Sequence, residues 1–157
     1  MCSKTVRNWK LLKQMPPSYL NIFLLLTIAL HFILPIKQLI HPPFTYPGIP
    51  LILFGLALNI WSVSYLRRRK TTIEFNQEPV TLVTEGPYRL SRNPIYLSGL
   101  ILSLGIALFL GSLITFVFPI LLFIILEGYY IPKEEEALNK AFGETYEDYK
   151  HRVRRWV

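Results

Sequence analysis

Cys2 is the only cysteine of the chain, so no internal disulfide can form and the paired ligand spacing of a zinc site is missing. Redox and metal roles are disfavoured on that ground. Acidic residues are scarce too, 10 against 17 Lys and Arg, which leaves a formal net charge of +7. That balance suits either nucleic acid or anionic lipid, and the placement of the charges decides between them. They sit in clusters between long uncharged runs, and no nucleic-acid recognition motif accompanies them.

What is abundant is apolar sequence. Hydrophobic residues make up 52% of the 157 and the mean hydropathy is +0.35, more than a soluble domain of this length tolerates. One membrane domain over residues 1–157 is the natural reading. A bilayer core needs about 20 apolar residues in a helix, fewer where flanking residues snorkel. Four runs qualify: Tyr19 to Ile36, Gly48 to Leu66, Ile95 to Leu110 and Leu113 to Tyr130. Only Gly111 and Ser112 separate the last two, so they must form a tight antiparallel hairpin. The N-terminal arm superficially suits a signal peptide, but Pro35, Ile36 and Lys37 stand where small residues would mark cleavage, so the first run reads as an uncleaved anchor.

The basic residues are unevenly shared among the connections. Lys4, Arg7, Lys10 and Lys13 precede the first run, Lys37 alone follows it, and the hairpin turn has none. Six lie between Arg67 and Arg92 and six more after Tyr130. By the positive-inside rule both termini and the long middle loop are expected on the cytosolic side. The run Arg67 to Lys70 reads as a stop-transfer flank that touches anionic headgroups. Beyond the fourth run, Lys133 to Phe142 predicts a short helix, Gly143 its stop, and Glu144 to Trp156 a second helix. Tyr146, Tyr149, Val153 and Trp156 share one side of that second helix, which suits an amphipathic helix lying in the interface. The fold class is therefore an all-α membrane protein with four transmembrane helices and short amphipathic C-terminal helices.

Two polar segments remain on the expected cytosolic side. In Thr84 to Tyr96, Gly86 and Pro87 favour a turn and Pro94 suits the first turn of a helix, where its missing N–H is not needed. Arg92, Asn93 and Tyr96 thus gather at a helix N-terminus, where free N–H groups and the dipole favour an anion. The other reading of Arg89 and Arg92 is a simple interfacial flank. The second segment supplies Glu134, Glu135 and Glu136, with Glu127 inside the end of the fourth run. A carboxylate near hydrocarbon is expensive and usually has a partner or a function, while the three glutamates would also suit a solvated first turn. Opposite charges on neighbouring segments fit a zwitterionic ligand, its carboxylate on Arg and its ammonium on Glu. The methionine part of S-adenosylmethionine is such a ligand.

These residues resemble a known family, the membrane methyltransferases that include isoprenylcysteine carboxyl methyltransferase and the phospholipid N-methyltransferases. The stretch Leu82 to Gly99, LVTEGPYRLSRNPIYLSG, is similar to the family's G-P-Y, R-H-P or R-N-P, then Tyr signature. The stretch Glu134 to Trp156 resembles its paired glutamates, Leu138, Phe142-Gly143, Tyr146, Tyr149 and closing Val-Arg-Arg-Trp. Together the blocks cover roughly a quarter of the chain, and their order relative to the apolar runs agrees. The resemblance implies a cytosolic S-adenosylmethionine pocket, a lipophilic or lipidated acceptor entering from the bilayer, contact with membrane lipids, and no metal or nucleic-acid partner. Carried over by position, Arg92, Asn93, Pro94 and Tyr96 would belong to the cofactor pocket, Glu134 and Glu135 would close it, and Tyr88 and Arg89 would lie beside it. Asn93 departs from the His typical of the isoprenylcysteine enzymes, and Ser98 from a common Gly. No G-x-G loop follows a strand pattern, which disfavours a soluble-type methyltransferase.

The acceptor decides which groups would be catalytic. A carboxylate is already a nucleophile at neutral pH and needs a cation such as Arg89 or Arg92 to place it. An amine must first lose a proton, which Glu134 or Glu127 would accept. Carboxyl O-methylation of an isoprenylcysteine-like acid is the leading expectation, phosphatidylethanolamine N-methylation the alternative, and a non-catalytic four-helix membrane protein the reading from another class. His31, His41 and His151 belong to no recognisable constellation and read as structural.

Overall fold

A computed structural model of the chain describes residues 17–34, 36–69 and 81–157. Cys2, the N-terminal cluster Lys4, Arg7, Lys10 and Lys13, Pro35 and the Lys70 end of the basic run lie outside the described residues. The described part is helical: α1 Pro17–Ile33, α2 Gly48–Arg68, a 3-10 turn Gly86–Arg89, α3 Pro94–Leu110, α4 Leu113–Ile125, a π turn Leu126–Tyr130, α5 Ile131–Phe142 and α6 Glu144–Arg152. No β-strand occurs among the described residues, only an isolated antiparallel bridge between Gln38 and Ser112.

The four apolar runs become helices of unequal reach. Two are long and apolar enough to cross a membrane by length and composition, namely α2 and the continuous helical run Leu113–Phe142. The other two, Asn21–Ile33 within α1 and Pro94–Leu110, are apolar but shorter. For α3 the limits are local. Pro94 fixes its first turn, and Gly111 ends it at φ 68, the left-handed conformation that glycine adopts without penalty. The outer faces are apolar and open, with Leu25 66%, Leu53 61% and Ile60 64% exposed, the pattern of helices that face lipid rather than water.

α2 and α3 form the closest helix pair, packed antiparallel through small residues. A Cβ at Gly48 would stand 2.6 Å from the Gly105 carbonyl oxygen and the Phe109 nitrogen, and one at Gly55 would stand 2.9 Å from the Leu102 nitrogen. Such near contact of backbones supplies dispersion where lipid tails offer no hydrophobic gain. Asn59 donates to the Ser98 hydroxyl at 2.9 Å across this seam, so the departure at Ser98 gives the pair a polar pin. α1 packs antiparallel on α4, with Phe23 edge-on to Phe118 at 6.2 Å and His31 Nδ1 2.9 Å from Ser112 Oγ. His31 is therefore a structural residue.

The tight α3–α4 hairpin read from Gly111 and Ser112 is present, and the chain after α1 closes it. Leu39 and Ile40 N–H groups donate to the Gly111 carbonyl at 2.8 and 3.0 Å, Leu113 N–H donates to the Lys37 carbonyl, and the Gln38 amide donates to Leu110 O. At the other end, Leu122, Leu126 and Ile131 form a buried cluster with Tyr96, Leu100, Tyr130 and Trp156 against it.

The C-terminal helix differs from expectation. It stops at Arg152, and Val153 turns extended at φ −128, ψ 129. Its aromatic stripe does not face lipid: Tyr146 and Tyr149 are buried, and the Tyr149 hydroxyl donates to the Tyr88 carbonyl at 2.6 Å. The segment before α3 offers a fixed backbone carbonyl and the buried Pro87 and Tyr88, so the stripe is used against protein. Gly48→Ala is expected to lower the midpoint of thermal unfolding in detergent, because overpacking costs about 1–3 kcal/mol while the helical gain over Gly is at most ~1 kcal/mol. The exposed Leu53→Ala is the control and should stay near the wild-type midpoint.

Candidate functional site

The site is built where three pieces of chain meet: the turn before α3, the junction of α4 with α5, and the extended residues after α6. Glu85 is extended and Gly86 takes φ +61, with the Tyr65 ring packed where a Cβ would lie. This turns Pro87 and Tyr88 inward, and both are buried. Glu85 is held by the Tyr65 hydroxyl at 2.9 Å and by an ion pair with Arg69. That pair is solvent-exposed and contributes little.

The next residues are fixed by backbone. Arg92 N–H donates to the Arg154 carbonyl at 3.0 Å, Ser91 Oγ to the Arg155 carbonyl at 2.9 Å, and the Asn93 amide to that same carbonyl at 3.2 Å. Asn93 N–H in turn donates to Ser91 Oγ at 3.1 Å. Asn93 precedes α3 without capping it by its side chain; the amide is committed to Arg155 instead. Pro94 is buried at the first position of α3.

Charge then accumulates in a half-buried space. Arg92, only 11% exposed in its side chain, approaches Glu135 at 3.1 Å, Nη1 to Oε1. The approach lacks hydrogen-bond alignment, and Arg92 Nε and Nη1 are buried without a hydrogen-bond partner. Glu135 is gripped more fully by Arg155, Nε to Oε1 at 3.2 Å and Nη2 to Oε2 at 2.7 Å. Arg155 Nη1 also pairs with Glu127, whose other oxygen accepts from the Trp156 indole at 3.0 Å. These two carboxylates hold the Arg155 guanidinium firmly protonated, and its pKa is raised above the ordinary value.

Glu134 points the other way from its neighbours Glu135 and Glu136. Tyr96 hydrogen-bonds it, while its Oε2 is buried without a partner. Glu136 faces solvent and pairs with Lys140. Burial pushes the hydroxyls of Tyr88, Tyr146 and Tyr149 well above the ordinary tyrosine range, so all three stay neutral hydrogen-bond donors at any working pH. Tyr146 stands within hydrogen-bonding reach of Arg92.

The structure thus gathers Tyr88, Arg92, Asn93, Pro94, Tyr96, Glu134 and Glu135 in one region. Arg89 is exposed at the end of the 3-10 turn and makes none of these contacts. Sequence reasoning left out Arg155 and underweighted Glu127 and Trp156. An unbroken amphipathic helix would have carried Arg155 away from the pocket; the signal that could have found it is the closing Val-Arg-Arg-Trp, with β-branched Val153 where the helix yields. Tyr149→Phe leaves the buried Tyr88 carbonyl without its donor, and is expected to cost about 1–3 kcal/mol, read as a lower unfolding midpoint than that of wild type.

Comparison with known proteins adds two findings. Residues 44–145 match the model of the phospholipid methyltransferase family, a span that holds α2, α3, α4, α5 and both charged segments. A stretch of 63 residues, 40% of this chain, is 35% identical to the whole length of an uncharacterized protein of Haemophilus influenzae. With the apolar helices carrying a charged cluster at one end and the family model covering well over half of its length, the chain belongs to the phospholipid methyltransferase family.

Proposed function

We propose that the protein is an S-adenosylmethionine-dependent methyltransferase that modifies a lipophilic acceptor at the cytosolic face of a membrane. The observation that carries this reading is a pair of buried groups of opposite sign without a hydrogen-bond partner, Arg92 Nε and Glu134 Oε2, with Arg92 Nη1 making only an unaligned approach to Glu135. Buried polar atoms are normally satisfied, so a free donor edge and a free carboxylate oxygen in one pocket suit a ligand that brings a carboxylate and an ammonium. The amino-acid end of S-adenosylmethionine has both, and the donor set fits it: Arg92 for the carboxylate, Glu134 for the ammonium, with Tyr96 holding Glu134. When bound, that cofactor supplies a methyl group already made electrophilic by its sulfonium. The protein's work is then to hold, align and keep water out. Tyr88, Tyr146 and Tyr149 supply the dry wall.

An open apolar groove of about 450 Å³ between α3 and α4, lined by Leu100, Ile101, Leu104, Phe116, Pro119, Ile120 and Phe123, supports a lipophilic acceptor. Its Phe123 stacks on Trp156 at 5.5 Å, and Trp156 reaches Glu127. Hydrocarbon in the groove would place a polar head beside the charged cluster. In this reading α1 and α3 add two shorter crossings to α2 and the Leu113–Phe142 run, and the excess of Lys and Arg at the site's end supports a cytosolic placement of that end and of both termini.

Two acceptor readings rest on different residues. Carboxyl O-methylation of an isoprenylcysteine-like acid needs no proton acceptor, only a cation to place the carboxylate; with Arg92 given to the cofactor, the exposed Arg89 at the end of the 3-10 turn is the cation left for that task. Phospholipid amine methylation needs a carboxylate to take the proton that an ammonium must lose; with Glu134 given to the cofactor, Glu127, joined to the groove through Trp156 and Phe123, is the carboxylate nearest that task. Membranes containing the protein, incubated with methyl-labelled cofactor and both acceptor classes, separate the two: a base-labile methyl ester supports the first, and label in the lipid amine headgroup supports the second. Calorimetric titration with S-adenosylhomocysteine tests the shared premise. Arg92→Ala is expected to weaken binding about tenfold or more, since a hydrogen bond to a charged group contributes ~1.5–3 kcal/mol, while Arg89→Ala leaves it unchanged. No saturable binding by folded wild-type protein sinks the methyltransferase reading.

A further inference from the structure

Arg155 spends its whole guanidinium on two carboxylates, Glu127 within the π turn Leu126–Tyr130 and Glu135 in α5 beyond it. Nε and Nη2 grip Glu135, and Nη1 pairs with Glu127. Its carbonyl accepts from Ser91 and Asn93, on either side of Arg92 in the chain. One residue therefore fixes both members of the Arg92–Glu135 contact, Glu135 by its side chain and Arg92 by its backbone. The contact that results is incomplete: Arg92 Nη1 lies 3.1 Å from Glu135 Oε1 without alignment, and Nε is left free. Arg92 and Glu135 are both largely buried, 11% and 14% exposed in their side chains. In such surroundings an unrestrained Arg–carboxylate pair closes into two parallel hydrogen bonds.

We infer that Arg155 is a positioning residue: it draws Glu135 off Arg92 and so keeps the inner edge of the Arg92 guanidinium open for a ligand carboxylate. This rests on the proposed cofactor site only for what the open edge receives; the restraint itself is a property of the chain. With Arg155 removed, Glu135 swings fully onto Arg92 and occupies the donors that the ligand needs. Lysine cannot substitute, because a single ammonium lacks the planar fork that holds two carboxylates at once. The π turn belongs to the same arrangement, since such bulges shift the helical register at functional sites, and here it brings Glu127 and Glu135 within reach of one guanidinium.

The test has two arms on the full-length protein in detergent. In the first, with no cofactor analogue present, the Arg92 Nε–H resonance of arginine-labelled protein is assigned by its loss in Arg92→Lys. Arg155→Ala is expected to move it and slow its exchange as Glu135 closes on it, and Arg155→Ala combined with Glu135→Gln is expected to reverse the change. A resonance unmoved in Arg155→Ala overturns the inference whether or not the protein binds S-adenosylhomocysteine. In the second arm, S-adenosylhomocysteine affinity should fall about tenfold in Arg155→Ala and in Arg155→Lys, and recover most of that loss in the double variant. A general loss of structure would leave the double variant as weak as the single one, and that result also overturns the inference. Wild-type protein that binds no S-adenosylhomocysteine refutes the proposed function alone, and the resonance arm still decides on Arg155.

Discussion

Glu135 sits between two guanidiniums, and the arrangement of the whole charged end follows from how it is shared. Arg155 takes both of its oxygens, and Arg92 has only a misaligned approach. Through this carboxylate the start of α3, the top of the α4–α5 run and the chain after α6 become one unit. None of these pieces has enough apolar contact to fix the others alone: α5 and α6 are short and largely polar, and the core at this end amounts to Leu122, Leu126 and Ile131 with their aromatic neighbours. Ion pairs in partly buried sites repay their desolvation only when the geometry is good and the remaining lone pairs are occupied. Glu127 and Glu135 meet that condition, with Arg155 and the Trp156 indole covering all four of their oxygens and Arg92 approaching one of these.

Glu134 is treated differently within the same helix turn. It has Tyr96 as a partner and one oxygen with none. Consecutive glutamates on a helix point in different directions, so one sequence triplet serves three ends: Glu134 inward, Glu135 into the ionic web, Glu136 to Lys140 at the surface. The division of labour is set by rotation about the helix axis, about 100° per residue at 3.6 residues per turn.

Much of this was legible beforehand. The apolar runs, the Gly111–Ser112 reversal and Pro94 at a helix start are backbone statements, and sequence carries them well because glycine and proline restrict or extend the allowed dihedrals directly. Arg92, Asn93, Tyr96, Glu134 and Glu135 could be named because each stands in a polar segment bordered by hydrocarbon, where a charge needs a reason. Arg155 was passed over, although it stands in the closing Val-Arg-Arg-Trp. Its role depends on the helix breaking after Arg152, and the periodicity of Tyr146, Tyr149, Val153 and Trp156 continues smoothly through that break. The π turn was missed although Pro132 signals a local irregularity: it has no N–H to give the Gly128 carbonyl and its ring crowds that carbonyl. The polar pin between Asn59 and Ser98 was hidden, because lone polar residues in apolar runs reveal their pairing only in three dimensions.

The covered hairpin tip has a consequence for the bilayer itself. α3 has 17 residues, about 25 Å at roughly 1.5 Å per residue, against a hydrocarbon layer of about 30 Å. A bare reversal placed below the surface would strand its carbonyls in oil. Here Leu110, Gly111 and Ser112 have theirs taken by Gln38, by Leu39 and Ile40, and by Thr115. The backbone of the tip is therefore satisfied within the protein and does not depend on water. A helix this short is tolerated beside hydrocarbon either where the lipid thins or where its end is satisfied by protein, and these bonds meet the second condition.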